Sequence, residues 1–465
     1  MASLSASAAY PRPRLSTFRQ AMLSLYWFGN GVHWTIILIT TLPAQAEMMG
    51  GDAVKGQTLG MVLAFGAFVS MVVAPVFGAL SDRIITRWGR RRPWMALGTT
   101  MNVIGLFALA YIPKPNDLSV LPLYIFAFMW VEFWNNVATA PYSALIPDLV
   151  PPEQRGSASG WYGLMNILGT FVGALAPFFF TSDGVTNLTA LYWFVAITLI
   201  LTTIGTLLSA REPRIAIHPP PFDVKHFVRH LFSPLGDHDF RWVFVTRFLM
   251  VMGTFTVQQF LQYYMGDVIK EFNFLNLFTA SNAIEATSVF LVLFLVGALP
   301  SSITAGILSD RYGRKLMVYI SSAFQAVVPI AFVLFVPQFA LATMLGLIFG
   351  IGYGAYQSVD WAMASEVLPS QDDYAKDMGV WHIAMTLPQV VAVPIAGALL
   401  DTFNRLGAES NRVPENFGYT VIFALATLYF ILGAASRVNS EPKPCSQNGS
   451  ASGGAMFALA NARRV

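Results

Sequence analysis

The chain is poor in charge and almost without cysteine. Only 11% of its 465 residues are Asp, Glu, Lys or Arg, against about 25% in a soluble domain. A water-soluble globule is excluded. Disorder and a coiled coil fall too, because both need abundant polar residues and here the apolar runs are long. The single cysteine, Cys445, cannot close an internal disulfide or build a cysteine-based metal site. No G-x-x-x-x-G-K-[ST] loop is present, so ATP-driven pumping is not expected. No metal-ligand cluster and no nucleophile–base set stands out, so no metal, cofactor or enzyme chemistry is expected. A net charge of +3 is too small and too scattered to indicate nucleic acid. Residues Met1 to Gln20 lack the apolar core and cleavage site of a signal peptide. They are acid-poor and hold Arg12, Arg14 and Arg19, which reads as a cytoplasmic tail, with a short transit peptide as the alternative.

What is present is apolar. Hydrophobic residues make up 55% and the mean hydropathy is +0.56. Twelve apolar runs can be read, at about 20–44, 57–80, 93–112, 120–146, 158–180, 188–210, 242–266, 285–308, 316–336, 339–362, 378–400 and 417–436. One membrane-spanning helix needs about 20 such residues. Backbone in lipid must satisfy its own hydrogen bonds, so each run is read as a helix, and Gly and Pro within them are tolerated. The fold class is all-α, with twelve transmembrane helices.

Lys and Arg fix an orientation. Of 28 such residues, only Lys55, Lys114, Lys270, Arg405 and Arg412 fall in the odd-numbered loops, and Arg247 lies inside span seven. Both termini are therefore expected in the cytoplasm, in a plasma or bacterial inner membrane. The sequon Asn187-Leu188-Thr189 then faces outward; a chance match is the plainer reading.

Residues 211–241 form the longest polar connection, with Pro219-Pro220-Pro221 and four histidines. They read as a linker between two bundles, 20–210 and 242–436, flanked by tails at 1–19 and 437–465. The halves echo each other. Gly78-Ala79-Leu80-Ser81-Asp82-Arg83 follows span two and Gly306-Ile307-Leu308-Ser309-Asp310-Arg311 follows span eight. Each precedes a basic cluster, Gly89-Arg90-Arg91-Arg92 or Gly313-Arg314-Lys315. Asp148 with Pro151 and Glu366 with Pro369 make a second echo. Parallel repeats of this kind place a substrate cavity between the halves near the bilayer midplane; the major facilitator fold is the standard example of that principle.

The paired G-x-L-S-D-R loops resemble the signature of the major facilitator superfamily. The resemblance implies a cytoplasmic gate of Asp82, Arg83, Arg90, Arg91, Asp310, Arg311 and Arg314, in which acid–base pairs form in one state and break in the other. Fixing topology is the competing role for these arginines. Within the superfamily, the first half resembles the sucrose transporter and glycoside–pentoside–hexuronide group. Three stretches carry this: Arg87-Trp88-Gly89-Arg90-Arg91-Arg92-Pro93-Trp94, span one from Gly31-Val32-His33-Trp34 to Leu42-Pro43, and Glu132-Phe133-Trp134-Asn135-Asn136 with Pro141 and Asp148. The match covers about 25–160 well and the second half loosely. Plant carriers have an arginine just after the span-four proline, where this chain has Ser143.

Ionisable groups inside a membrane are functional candidates by default. Glu132 lies mid-span among Trp130, Phe133 and Trp134. It is read as loading a proton or binding a sugar hydroxyl, against a purely structural acid. Asp360 in span ten is read either as a site residue or as a helix-end latch. Arg247 is expected to snorkel to the surface. His33 and Trp34 are candidates from the span-one pattern. Glu285 is expected to be interfacial. Sugars need amide or carboxylate partners for hydroxyls and aromatic faces for their C–H surfaces. Asn135, Asn136, Gln258, Gln262, Gln357 and Gln389 supply amides, and Tyr356 supplies a ring. Gln258, Gln259 and Gln262 are too costly to face lipid together, so some should meet a polar cavity.

The expected function is secondary transport of a sugar or glycoside, sucrose-like, with a proton, by a monomer in a bilayer. The alternatives are a carrier or exporter of another small organic solute and, more distantly, a non-transporting membrane sensor.

Overall fold

The computed structural model describes residues 14–81, 86–212, 233–367, 374–409 and 414–435. Residues 1–13, the tail 437–465, most of the linker, and Asp82 and Arg83 lie outside these residues. The first six helices are α1 (Thr17–Thr35), α2 (Leu42–Ser81), α3 (Arg92–Tyr111), α4 (Leu121–Ser143), α5 (Arg155–Phe179) and α6 (Leu188–Ser209). The last six are α7 (His238–Tyr264), α8 (Ala283–Tyr312), α9 (Arg314–Leu334), α10 (Phe339–Val367), α11 (Tyr374–Glu409) and α12 (Phe417–Ala435). Eleven continuous stretches among the described residues are long and apolar enough to cross a membrane. The first, Thr17–Gly78, is 62 residues long, about 90 Å of helix and far more than one crossing needs. It breaks at Gly51 (φ 61°) and Val54 (φ −140°). Gly51 takes a left-handed conformation that costs a side-chain-free residue little. The break makes two crossings, 17–50 and 54–81, and twelve in all.

Polar caps define the helix ends. Asp237 accepts from Asp239 N (3.0 Å) and Phe240 N (3.1 Å) at the start of α7. Asn282 accepts from Glu285 N (3.0 Å), while Glu285 reaches back to Ser281 N (2.7 Å) at the start of α8. Each pairing satisfies helix N–H groups that have no partner within the helix. Glu285 is thus buried in a cap at the start of α8.

Small residues set the helix spacing. Gly31 and Gly173 bring α1 against α5, and Gly297, Gly346 and Gly354 bring α8 against α10. Without a hydrophobic drive in lipid, such close backbone approach supplies the packing energy. The seam between the first and last six helices runs along α2–α11 and α5–α8.

A π turn at Ile36–Thr41 continues α1 into α2, and another at Met265–Ile269 ends α7. Two short antiparallel hairpins lie on that same face, opposite the arginine-rich loops. They are β1 (Thr181–Ser182) with β2 (Val185–Thr186), and β3 (Asn273–Phe274) with β4 (Phe278–Thr279).

Candidate functional site

The basic face is organised by two carboxylates. Arg90 Nη2 and Arg91 Nε lie 2.6 and 3.1 Å from Asp148 Oδ2, and Arg91 Nη1 donates to Ser81 Oγ (2.6 Å). Glu212 accepts from the backbone N–H of Arg90 (2.6 Å), Arg91 (3.0 Å) and Arg92 (2.9 Å). An anion here sits at the positive end of α3. Gly89 (φ 111°) permits the arrangement, since a Cβ there would stand 2.8 Å from the Glu212 carboxyl carbon. In the second half Arg314 pairs with Asp310 (2.8 Å) and bonds Ser309, and Arg311 lies in the last turn of α8. The expected gate residues Asp82 and Arg83 fall outside the described residues.

The opposite face holds a cluster that the sequence reading did not find. Lys55 is buried to 1% exposure although ionisable. Its Nζ lies 2.8 Å from Glu47, 3.0 Å from Asp52 and 2.8 Å from Asp267, and 5.0 Å from the Tyr263 ring centre. Glu47, Asp52 and Asp267 are close enough together to ligate a cation. The tethered ammonium occupies that position. Asp267 also accepts from Tyr419, and its carbonyl from Asn416 Nδ2 (3.3 Å). Beside it, Asp401 on α11 accepts from Gly56 N (3.0 Å) and Gln57 N (2.7 Å). One half thereby caps the helix that restarts after the Gly51 break in the other. Asn282 donates to Gly184 O (3.0 Å) and Thr186 Oγ1 (2.9 Å) across the same seam.

Gln262 belongs to this face. With its amide nitrogen turned toward α1, it donates to Ile39 O (2.9 Å) and Thr40 O (3.2 Å). A π turn leaves carbonyls short of partners, and an amide from the other half supplies them. Tyr263 donates to Pro43 O (2.8 Å) alongside. Gln262 therefore serves backbone, whereas Gln258 lines a cavity.

In the first half, Glu132 is buried between α4 and α2. Asn136 donates to its carboxylate (3.3 Å), to its carbonyl (2.8 Å) and to Ser70 Oγ (3.0 Å). No cation stands beside Glu132 among the described residues. Asn135 turns the other way and donates to Asn30 Oδ1 on α1 (3.0 Å). The two amides are thus split between neighbouring helices. His33 is fully buried and edge-on to Trp34 (4.5 Å between centroids), with the Asn102 side chain as its polar neighbour among the described residues.

In the second half, Arg247 is not a snorkelling residue. It is 3% exposed and paired with Asp360, which is fully buried. Tyr356 donates to the other Asp360 oxygen (3.1 Å). The guanidinium lies over Trp381, 4.7 Å from the ring centre, and Nη2 reaches Met385 Sδ (3.5 Å). Gln357 donates to Tyr353 (2.8 Å). Arg247, Gln258, Tyr353, Tyr356, Gln357 and Met385 line a small cavity with Thr254 and three apolar neighbours. Gln389 lies part-buried one turn beyond Met385 on α11. Glu132, Asn135, Asn136, His33 and Trp34 do not line that cavity.

The family profile described as MFS/sugar transport protein matches residues 53–438. A sucrose transport protein of Arabidopsis thaliana is 28% identical over 192 residues, 34% of this chain and 32% of that protein. The match spans about a third of that carrier's length. An uncharacterized MFS-type transporter of Methanocaldococcus jannaschii is 24% identical over 363 residues, 78% of this chain and 84% of that one. Among solved structures, a bacterial homologue of the human lysosomal transporter Spinster, inward-facing and unoccupied, superposes with a TM-score of 0.67 at 13% identity. It covers 92% of this chain and 98% of its own, a likeness of fold. The chain belongs to the MFS/sugar transport protein family and is a multi-pass membrane transporter of the major facilitator superfamily, not an enzyme.

Proposed function

We propose that the protein moves a sugar or glycoside, sucrose-like, together with a proton. The observation that carries the proton is Glu132. It is a buried carboxyl whose near partners are an amide and a hydroxyl, with no neighbouring cation among the described residues. An uncompensated charge in such a place is costly, and taking up a proton removes that cost. Ser143, in place of the plant carriers' arginine, fits a carboxyl without a fixed counter-ion. The similarity to a sucrose transport protein supports the cargo class.

The halves 20–210 and 242–436 rock about a central path, and the protein works as a monomer. The arginine-rich face is cytoplasmic, and the seam at the opposite face opens for entry. Opening there separates Lys55 from Asp267 and Asp401 from the α2 backbone. On the cytoplasmic face, Asp82, Arg83, Arg90, Arg91, Asp310, Arg311 and Arg314 form the gate.

The test is uptake of labelled sucrose, maltose and glucose into proteoliposomes, with and without an inward proton gradient. Gradient-stimulated uptake of one of them, lost in Glu132→Gln while exchange of internal for external sugar persists, is the expected result. Equal stimulation in wild type and variant would remove Glu132 as the proton carrier.

A further inference from the structure

We infer that the outer end of the path holds an entry station for the sugar, formed by both halves when the seam opens, in which Gln262 and Tyr263 on α7 contact solute hydroxyls opposite the backbone carbonyls of Ile39, Thr40 and Pro43. The station lies on the outer side of the central path between the halves. The inference rests on the sugar reading above and deepens it by naming the residues that receive the solute first.

One proline creates the receiving surface. Pro43 has no N–H, so the carbonyl of Ile39, four residues earlier, lacks its α-helical donor. The proline ring also crowds that carbonyl, and the wider π turn at Ile36–Thr41 relieves the clash. The turn is fastened within the first half. Thr41 Oγ1 donates to Tyr192 Oη (3.0 Å). Tyr192 and Tyr124 donate to Gln45 Oε1 (2.7 and 2.6 Å), and Gln45 Nε2 donates to Leu109 O (2.9 Å). These partners lie on α2, α3, α4 and α6, so the turn keeps its shape when the halves part.

The second half fills that surface with an amide. Gln262 Nε2 bridges Ile39 O (2.9 Å) and Thr40 O (3.2 Å), and Tyr263 donates to Pro43 O (2.8 Å). Gln262 and Tyr263 are 4% and 1% exposed, so the closed seam keeps solvent from these bonds. Opening moves donors and acceptors onto facing walls, where each needs a new partner. Two adjacent carbonyls can accept from the hydroxyls of a vicinal diol, while the amide and the phenol donate and accept on the other wall. Gln262 in the closed seam thus stands where a sugar's hydroxyls would stand in the open one. Gln258, one turn inward on the same face of α7, offers the next amide.

Gln262 also helps to hold the seam shut, so its loss changes the population of open transporter. That change scales the apparent affinity for every sugar by one factor. A direct contact behaves differently, because its loss is felt only by sugars that carry the hydroxyl concerned.

The experiment is inhibition of proton-driven uptake of labelled sucrose, maltose or glucose into proteoliposomes of the full-length protein. The inhibitors, added outside, are the unlabelled parent sugar and its monodeoxy analogues. The wild type is compared with Gln262→Met, which is close in size, and with Tyr263→Phe, which keeps the ring beside Lys55 and loses the hydroxyl. Elution volume and melting midpoint report folding for each variant.

In Gln262→Met the half-inhibiting concentration of the parent sugar is expected to rise about three- to tenfold more than that of one monodeoxy analogue, the range of one neutral hydrogen bond. Tyr263→Phe is expected to single out a hydroxyl in the same way. One common factor across the whole panel, in both folded variants, would make Gln262 and Tyr263 seam contacts only. That result overturns the inference and leaves the sugar reading standing. A wild type that takes up none of the three sugars defeats the sugar reading, and the entry station falls with it.

Discussion

The close contact of α2 with α11 offers a way to bias the transport cycle by a single methyl group. A Cβ on Gly56 would stand 2.7 Å from the carbonyl oxygen of Gly397 and 2.8 Å from Asp401 Oδ1. Carbon–oxygen contacts between backbones settle at about 3.3–3.6 Å. Gly56→Ala therefore demands that the helices part by roughly 0.6 Å or more, and a backbone carbonyl cannot rotate aside as a side chain does. Overpacking of this kind costs about 1–3 kcal/mol. Alanine is the better helix former by about 1 kcal/mol, but it is so in both states and the gain cancels. The penalty falls on the state with this seam closed, so the equilibrium moves about 5–150-fold toward the state with it open. The assay uses a Cys445→Ser background with Gln258→Cys in the cavity as the only thiol. A membrane-impermeant maleimide is added from each side in turn. Labelling from the face of the Lys55 cluster rises in Gly56→Ala, and labelling from the arginine-rich face falls. Unchanged rates from both sides in a folded variant would refute the reasoning, because the seam would then not separate between states.

Lys55→Met should shift the same labelling in the same direction. Asp52 is 90% exposed and Glu47 41%, so their share is screened; the half-buried Asp267 leaves about 1–2 kcal/mol. Lys55→Arg, which keeps the charge, should shift it less. Glu212→Gln removes the anion at the start of α3 and should lower stability by about 1 kcal/mol, read as a lower melting midpoint in detergent; an unchanged midpoint would mean that water serves those N–H groups as well. Asp148→Asn removes the carboxylate shared by Arg90 and Arg91, so its effect on uptake should exceed that of Arg90→Ala, which leaves the Arg91 pair intact; equal effects would make Arg91 a bystander.

Much of the architecture was legible because lipid leaves the backbone few choices. A run of apolar residues such as 188–210 can only be a helix, and α6 (Leu188–Ser209) follows it closely. Helix ends were less legible. α11 continues to Glu409, beyond the apolar run that ends near 400, because hydropathy reports where lipid stops and not where hydrogen bonding stops. The first crossing runs through a π turn to residue 50, past the apolar run that ends near 44, since the break falls at Gly51. The candidate site was half legible. Glu132, Asn136 and Gln258 stand out locally as polar residues in apolar runs. Arg247 was misread because its burial depends on Asp360, 113 positions away, and no local pattern carries that pairing. Lys55 was counted only as a loop charge for the same reason: Asp267 reaches it from the other half. Glu212 gave no signal at all, since a carboxylate capping a distant helix looks like any linker acid.

The most direct test is the movement of protons when sugar is added and no gradient is imposed. Wild-type proteoliposomes in weakly buffered medium should show external alkalinisation on addition of sucrose, because each sugar entering carries a proton inward. The signal should vanish in Glu132→Gln and with a protonophore. Sucrose accumulating inside with no change in external pH would contradict proton coupling.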